Sequence, residues 1–385
     1  ISSDYSLPLG YYVVMRGWHA PALHDLLSKG WSVTMELIAT ARDEQRACAA
    51  IAVLKDVEAN EPALLWERSK PYQASLLHLA VYSGSTAIVA HLLTVSSRGS
   101  VSDNALTPAA TDCFKHTPLA YAACANAVDL IALLLLNQAD VNSQDTAGRT
   151  ALHIACAMGH ALSVSLLLTS GAKPTITDEH LNTAVHCAAR EAREKVLVQL
   201  LAAPDGLACL RMRNVDDQPP LHIAAAAGDV ACCALLVSSD GELVHLHVRE
   251  EGTPVHTAAE KGHADVLKLL LQSHADIEAH VTPGEDLRTP LHLAAEYAHE
   301  ACVSLLLSHG ADPTAQLPTA FLSQFKNYRL LTHHLKKASC HAIALAQHFK
   351  DEGWRETVAL LDEAVSQRRK TKELRVKDRG GLDGG

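Results

Sequence analysis

Thr289-Pro-Leu-His-Leu-Ala294 is one wording of a phrase that occurs seven times along this chain of 385 residues. The others are SLLHLA from Ser75, TPLAYA from Thr117, TALHIA from Thr150, TAVHCA from Thr183, PPLHIA from Pro219 and TPVHTA from Thr253. Successive starts lie 42, 33, 33, 36, 34 and 36 residues apart. A near-constant period of this size marks supersecondary units that stack on one another.

The phrase is written as a helix start. Thr or Ser at the N-cap accepts a hydrogen bond from a free backbone N–H, typically worth about 1 kcal/mol. Pro118, Pro254 and Pro290 take the first helical position, where no N–H is missed. Small residues such as Ala258-Ala259 and Ala294-Ala295 let a neighbouring helix approach closely. Gly84, Gly159, Gly228 and Gly262 can then end the helix in a left-handed conformation. A leucine-rich second helix follows, as in Val164–Leu168, Val266–Leu271 and Val303–Leu307. Neither helix of a pair can bury its apolar face alone, so stacking must stabilise them. Polar stretches separate the pairs: 142–145, 177–180, 214–217, 250–251 and 284–286.

Phrase and period together resemble the ankyrin-repeat family, whose repeat is about 33 residues with a T-P-L-H-x-A signature. The resemblance implies an all-α, right-curving ankyrin solenoid of helix-turn-helix pairs, with helical caps at both ends. It also places the polar stretches as β-turn fingers beside the first helices on a concave, protein-binding face. His78, His153, His186, His222, His256 and His292 share one motif slot, and His160, His263 and His299 share another. The resemblance gives such histidines hydrogen bonds to neighbouring loops. Some positions depart from the pattern. Pro219 removes a capping hydroxyl, Ala120 replaces the motif histidine, and the turn glycine is clear only at Gly148 and Gly252. The repeats at Ser75 and Pro219 are therefore expected to be weaker or irregular.

Four segments are expected. Residues 1–73 form a helical cap with a degenerate repeat, including helices over Pro21–Lys29 and Thr34–Lys55; 74–315 hold the seven repeats. Residues 316–367 form a helical insert, helical over Phe321–Lys337, and a degenerate capping repeat; 368–385 form a disordered tail, basic from Arg368 to Arg379 and then Gly-rich. The chain begins with Ile1 rather than Met, which fits a segment of a longer protein.

Several functions are disfavoured. Aromatic residues make up 4% of the chain against 48% hydrophobic overall, which suits packed Ala/Leu helices better than sheets. A net charge of −10 opposes direct nucleic-acid binding. No apolar run approaches the roughly 20 residues of a membrane span. The ten cysteines show no CxxC pair, and adjacent Cys232 and Cys233 are expected on different helix faces. They read as buried structural thiols in a reducing compartment. Equivalent repeat histidines lie about 8–10 Å apart in a helix stack, too far to share a zinc. The cluster His333, His334, Cys340, His341 and His348 fits no standard ligand spacing. No Walker loop, GxGxxG, HExxH or GxSxG turn occurs, so neither an enzyme nor a cofactor is expected.

What remains is a monomeric, cytoplasmic scaffold or adaptor that grips protein partners. Its candidate binding residues are Asp145, Arg149, Asp178, Glu179, His180, Arg190, Glu191, Asp216 and Asp217. Further along are Glu250, Glu251, Lys261, Glu285, Asp286, Arg288, Glu296 and Tyr297. Their acidic excess predicts a basic partner segment. One alternative is a regulatory or targeting domain of a larger enzyme, ubiquitin-ligase adaptor or channel. Another is a nuclear regulator using the Arg368–Arg379 tail.

Overall fold

The computed structural model describes residues 38–39, 41–60, 65, 68, 72–98, 106–282, 287–315 and 354–380. The expected helices over Pro21–Lys29 and Phe321–Lys337, and the His333–His348 cluster, lie outside that set. The described chain is all-α, with two isolated β-bridges, Arg68–Ser75 and Val248–Gly252.

The chain divides between Cys209 and Leu210 into two compact units. Unit 1 holds α1 (Glu44–Asn60), then the pairs α2/α3 (Leu76–Ser83, Thr86–Arg98) and α4/α5 (Pro118–Cys124, Val128–Leu136). It continues with α6/α7 (Ala151–Met158, Ala161–Thr169) and α8/α9 (Ala184–Arg190, Glu194–Ala202). Unit 2 holds α10/α11 (Pro220–Ala227, Val230–Ser239), α12/α13 (Pro254–Lys261, Ala264–Gln272) and α14/α15 (Pro290–Glu296, Glu300–Ser308). The long α16 (Trp354–Gly380) closes it. Within each unit, first helices stack on first helices and second helices on second helices.

Each second helix buries the same three slots. They are Ile88, Val89 and Leu92 in α3, Leu130, Ile131 and Leu134 in α5, and Val266, Leu267 and Leu270 in α13. Full burial of one such side chain contributes about 1.5–3 kcal/mol, so the leucine-rich row is the main apolar store of each pair. Cys232 and Cys233 fill two adjacent slots of α11, both at 0% exposure. The expectation that they lie on different helix faces therefore fails, because neighbouring positions about 100° apart both fit within a broad buried stripe. In α7 the first slot is Ser163, whose Oγ donates to Asn126 Oδ1 at 2.8 Å, so the buried hydroxyl is satisfied.

Nine residues after every N-cap the backbone turns left-handed: Gly84, Asn126, Gly159, Ala192, Gly228, Gly262 and Ala298. Glycine here avoids strain, and it also makes room. A Cβ on Gly228 would lie 2.6 Å from the His263 ring, and one on Gly262 2.7 Å from His299. Those rings cross to the preceding repeat: Nε2–H of His263 donates to Ala226 O (3.0 Å), and that of His299 to Glu260 O (2.8 Å). His160 does the same to Cys124 O at 3.1 Å. Arg193 occupies the histidine slot of its own repeat and reaches Ala157 O at 3.2 Å, a substitution that sequence reading misses.

The two ends differ from expectation in part. Of the helix expected over Thr34–Lys55, residues 34–37 and 40 lie outside the described set and 38–39 are helical. Residues 41–43 interrupt it, and a new helix runs over Glu44–Asn60, capped by Asp43, which accepts from Arg46 N at 2.8 Å. The basic segment from Arg368, expected as a solvated, frayed helix end within a disordered tail, is helical up to Gly380. Arg, Lys and Glu are good helix formers. The stretch continues a helix already anchored on α14 and α15 by buried Thr357, Leu361 and Val365. Among the described residues no helix is long and apolar enough to cross a membrane.

The left-handed slot can be tested with two substitutions. Ala192→Gly should raise the urea unfolding midpoint by the equivalent of about 0.5–1 kcal/mol, because it relieves a Cβ at φ 53°. Gly228→Ala should lower it by about 2 kcal/mol or more, through strain and displacement of His263.

Candidate interaction surface

The fingers are held from both sides. At each helix start the motif histidine turns back on its own N-cap. Thr150 N–H and Oγ1–H approach His153 Nδ1 at 3.2 and 2.9 Å, while His153 Nε2 lies 3.1 Å from Asn182 O, at the end of the next finger. A carbonyl can only accept, so Nε2 carries the proton and the imidazole is neutral. Ser75 and His78 repeat the arrangement, with Nε2–H donating to His116 O at 3.0 Å. The Ser75 repeat is thus regular at this point, contrary to expectation, because a serine hydroxyl serves as well as a threonine. Thr253–His256 and Thr289–His292 follow the same plan, reaching Ala279 O (3.0 Å) and Ala315 O (3.3 Å).

Pro219 breaks the plan on one side only. His222 Nε2–H still donates to Gly252 O at 3.1 Å, but buried Nδ1 has no partner. Proline offers neither an N–H nor a hydroxyl, as its position in the phrase leads one to expect. Leaving such an acceptor buried costs about 1–3 kcal/mol.

The fingers that start at Asp145, Asp178 and Asn214 are folded by that first side chain, whereas the one at 248–252 is closed by the Val248–Gly252 bridge. Asp145 Oδ1 accepts from Ala147 N and Arg149 N at 2.9 and 2.8 Å, and Asp178 Oδ1 from His180 N and Asn182 N at 2.9 and 2.7 Å. Asn214 serves the same way for Asp216 N and Gln218 N. These are side-chain-to-backbone turns.

Unit 1 contains a buried chain of charge where the motif histidine is missing at Ala120. His116 Nδ1–H donates to Asp112 Oδ2 at 2.9 Å, Tyr121 Oη donates to the same oxygen at 3.0 Å, and Arg149 grips Asp145 Oδ2 at 2.9 Å. His116 Nε2 faces Asp145 Oδ2 at 3.4 Å, a Coulombic contact too long to be a strong hydrogen bond. Burial opposes the charge on His116, but Asp112 and Asp145 overcome it and raise its pKa. His116 therefore links finger 112–116 to finger 145–149, the task a histidine at position 120 would otherwise perform.

The sequence-predicted site residues fall into separate groups. Asp145, Arg149, Asp178 and Glu296 are buried. Their polarity is absorbed inside the repeat: Glu296 pairs with Arg288 at 3.0 Å. The expected exposure of Asp145 and Asp178 is corrected, since carboxylates that close the fingers point inward. His180, Arg190, Glu251 and Arg288 are half-buried, and Arg190 donates to Asn182 Oδ1 at 3.0 Å. Glu179, Glu191, Asp216, Asp217, Glu250, Lys261 and Tyr297 are exposed. Asp217 is tied to Arg213 at 2.7 Å. Glu285 and Asp286 lie outside the described residues.

Unit 2 gathers one part of this set. Glu251 accepts from Gln218 Nε2 at 2.6 Å, and Glu260 pairs with Lys261 at 2.9 Å. Asp216, Glu260 and Lys261 all act electrostatically on Glu251, while Glu260 and Lys261 also act on Tyr297. Burial raises the Glu251 pKa, the Gln218 bond opposes this, and Glu260 reinforces it. Sequence reading missed Glu260 and the apolar finger residues Phe114, Leu181 and Val215, which are 36%, 48% and 54% exposed. Their signal was an apolar side chain inside an otherwise polar finger. Among the described residues no group of three or more His, Cys, Asp or Glu could hold a metal ion.

Stacked helix pairs with projecting fingers define a repeat-built interaction module. The family described as "Ankyrin repeats (3 copies)" matches residues 77–178 and 221–316, together just over half of the chain. The chain belongs to the ankyrin-repeat family. Such repeats generally mediate protein–protein interaction, and their domains are typically non-catalytic.

The chain is similar to the mouse (Mus musculus) B-cell lymphoma 3 protein homolog, 28% identical over 156 residues, covering 40% of this chain and 35% of that protein. It is also similar to the probable E3 ubiquitin-protein ligase XBOS33 of Oryza sativa subsp. japonica, 32% identical over 188 residues (44% and 33%). Mouse inversin is 32% identical over 188 residues (48% and 17%). The chain thus spans only 17% to 35% of the length of these curated relatives. The crystal structure of the human ASB11 ankyrin repeat domain aligns with a TM-score of 0.49 at 21% identity, covering 64% of this chain and 98% of that one.

The relay histidines make the stack acid-sensitive. Burial lowers the pKa of His78 and His222 from 6.5 to about 4, against opposing backbone hydrogen bonds. A lowered folded pKa gives stability that is present above 6.5 and lost as pH falls toward about 4. The loss is roughly 3 kcal/mol per histidine, and urea midpoints measured across that window should show it. His116 has the opposite sign, its contribution being lost as pH rises through its raised pKa. Pro219→Thr should supply the missing donors to His222 and raise the unfolding free energy by about 1 kcal/mol at neutral pH.

Proposed function

We propose that this chain is a scaffold or adaptor that binds partner proteins through the finger and first-helix face of unit 2, with a basic partner segment as its ligand. The observation carrying this reading is the local company of Tyr297. A 41%-exposed aromatic ring stands beside Glu260 and Lys261, while Asp216 and Glu250 are exposed on the fingers. An exposed aromatic ring with Glu260 nearby, on a unit whose fingers also leave Asp216 and Glu250 in solvent, suits a Lys- or Arg-bearing peptide: the ring takes the aliphatic stem or guanidinium plane and the carboxylates take the charge. Unit 1 presents a different surface, with Asp112, Asp145 and Asp178 turned inward, Glu179 in solvent, and Phe114 and Leu181 exposed. A non-catalytic role fits this division, since the perturbed buried groups are engaged in packing between repeats.

A second reading makes the chain a regulatory or targeting domain within a larger protein. What favours it is the share of each relative that the chain covers, one of those relatives being named as a probable E3 ubiquitin-protein ligase. We place the protein in the cytoplasm as a monomer. The buried thiols of Cys124, Cys156, Cys187, Cys209, Cys232, Cys233 and Cys302 fit a reducing compartment.

Affinity capture should be run from the native cell with the wild type and with an Asp216→Lys/Glu250→Lys/Tyr297→Ala variant. The captured basic partner should bind the variant at least tenfold more weakly, with circular dichroism unchanged. Its association rate with wild type should fall steeply between low and physiological salt. A partner set and affinity identical in the two proteins would contradict the assignment.

A further inference from the structure

We propose that Thr371 is a phosphorylation site for a basophilic protein kinase, and that the phosphate draws Arg368 away from Asp312. Thr371 ends the run Arg368-Arg369-Lys370-Thr371, which contains the only Arg-Arg pair in the chain. Two guanidinium groups at the second and third positions before a hydroxyl form a charge pattern that a kinase with acidic subsites can select. Thr371 is exposed, and among the described residues its Oγ1 donates within the helix, to Gln367 O at 2.9 Å. It lies beyond the residues that fasten α16 to the stack, Thr357 at 0%, Leu361 at 0% and Val365 at 3% exposure.

The last described link of that helix to the repeats is ionic. Arg368 Nη2 contacts Asp312 Oδ2 at 2.8 Å across a cleft of about 490 Å³, and Thr371, Ser308 and Gly310 also line the cleft. The pair is well exposed, with the Arg368 side chain at 49% and Asp312 at 33%. Exposed pairs of this kind hold weakly, so a stronger anion nearby can displace one partner.

The chemistry supplies that anion. Thr371 Oγ1 attacks the γ-phosphorus of ATP. The Oγ1–P bond forms, the bond from phosphorus to the bridging oxygen of the leaving ADP breaks, and the hydroxyl proton passes to the kinase's general base. The product carries roughly two negative charges at neutral pH and no longer donates to Gln367 O. It stands three residues after Arg368, on the same side of the helix. Arg pairs with phosphate bidentately and more strongly than with an exposed carboxylate. Opposite lies the C-terminal end of α15, whose dipole is negative there. Asp312 and that helix end repel the phosphate while Arg368 turns toward it, so the second half of α16 is released from the stack.

The test uses the full chain, ATP and a kinase selective for Arg-Arg-x-Thr, with a peptide spanning 364–377 as a reactive control. Mass spectrometry should find one phosphate at Thr371, none there in Thr371→Ala, and at least tenfold slower incorporation in Arg369→Ala. Hydrogen exchange of the phosphorylated chain should quicken at least tenfold over 368–376 and stay unchanged over 356–363. Unmodified Asp312→Ala should show the same pattern. A folded chain that stays unmodified while the peptide reacts overturns the site. So does failure of both to react, and modification at Thr371 with unchanged exchange overturns the switch.

Discussion

A neutral imidazole that accepts at one nitrogen and donates at the other holds this molecule in register. At His78, His153, His256 and His292, Nδ1 is committed to the N-cap of its own helix, and Nε2–H to a main-chain carbonyl of the finger that follows its helix pair. The hydrogen bonds are individually worth about 1 kcal/mol, far less than the leucine row beneath them. Their value is positional. Apolar burial tolerates sliding, whereas a ring fixed at both nitrogens sets where the next finger ends. The second row of side chains, His160, Arg193, His263 and His299, binds the opposite end of the first helices. Each row depends on a small residue elsewhere: a hydroxyl at the N-cap for the first, and in most repeats a glycine left-handed turn for the second.

Much of the scaffold was legible because repetition averages out local ambiguity. Helix starts, the left-handed ends and the leucine rows all follow from the phrase and its period. Single positions were harder. Asp145 and Asp178 looked like surface acids because polarity in a loop does not reveal which way a carboxylate turns; here each closes its own finger. His116 stands outside the motif slot; Asp112 is its neighbour in the same finger, but its second partner Asp145 is close only after the repeats stack. Arg193 substitutes for a histidine by reach rather than by resemblance. The start of α1 had a readable cap in Asp43, which a broad apolar pattern concealed. Pro219 is the opposite case, since the missing hydroxyl in the sequence reappears as an unpartnered His222 Nδ1.

Sorting buried from exposed charge narrows the proposed binding surface. Carboxylates inside unit 1 are matched by His116 and Arg149, so they contribute order and are not available to a partner. In unit 2 the fingers leave Asp216 and Glu250 in solvent, near a cluster that includes Glu251, Glu260 and Lys261, with Tyr297 as the aromatic member. The candidate site is therefore smaller than the full row of polar fingers suggested, and it has an aromatic centre that charge counting alone would not select. Partner choice in such a scaffold rests on these variable side chains.

The histidine relay is most directly tested by a long-range ¹H–¹⁵N spectrum of histidine-labelled protein, followed as a function of pH. The account predicts Nε2–H tautomers for His78, His153, His222, His256 and His292 at neutral pH, with His78 and His222 resisting protonation until about pH 4. Rings averaging between tautomers and titrating together near 6.5, the ordinary histidine value, would contradict it.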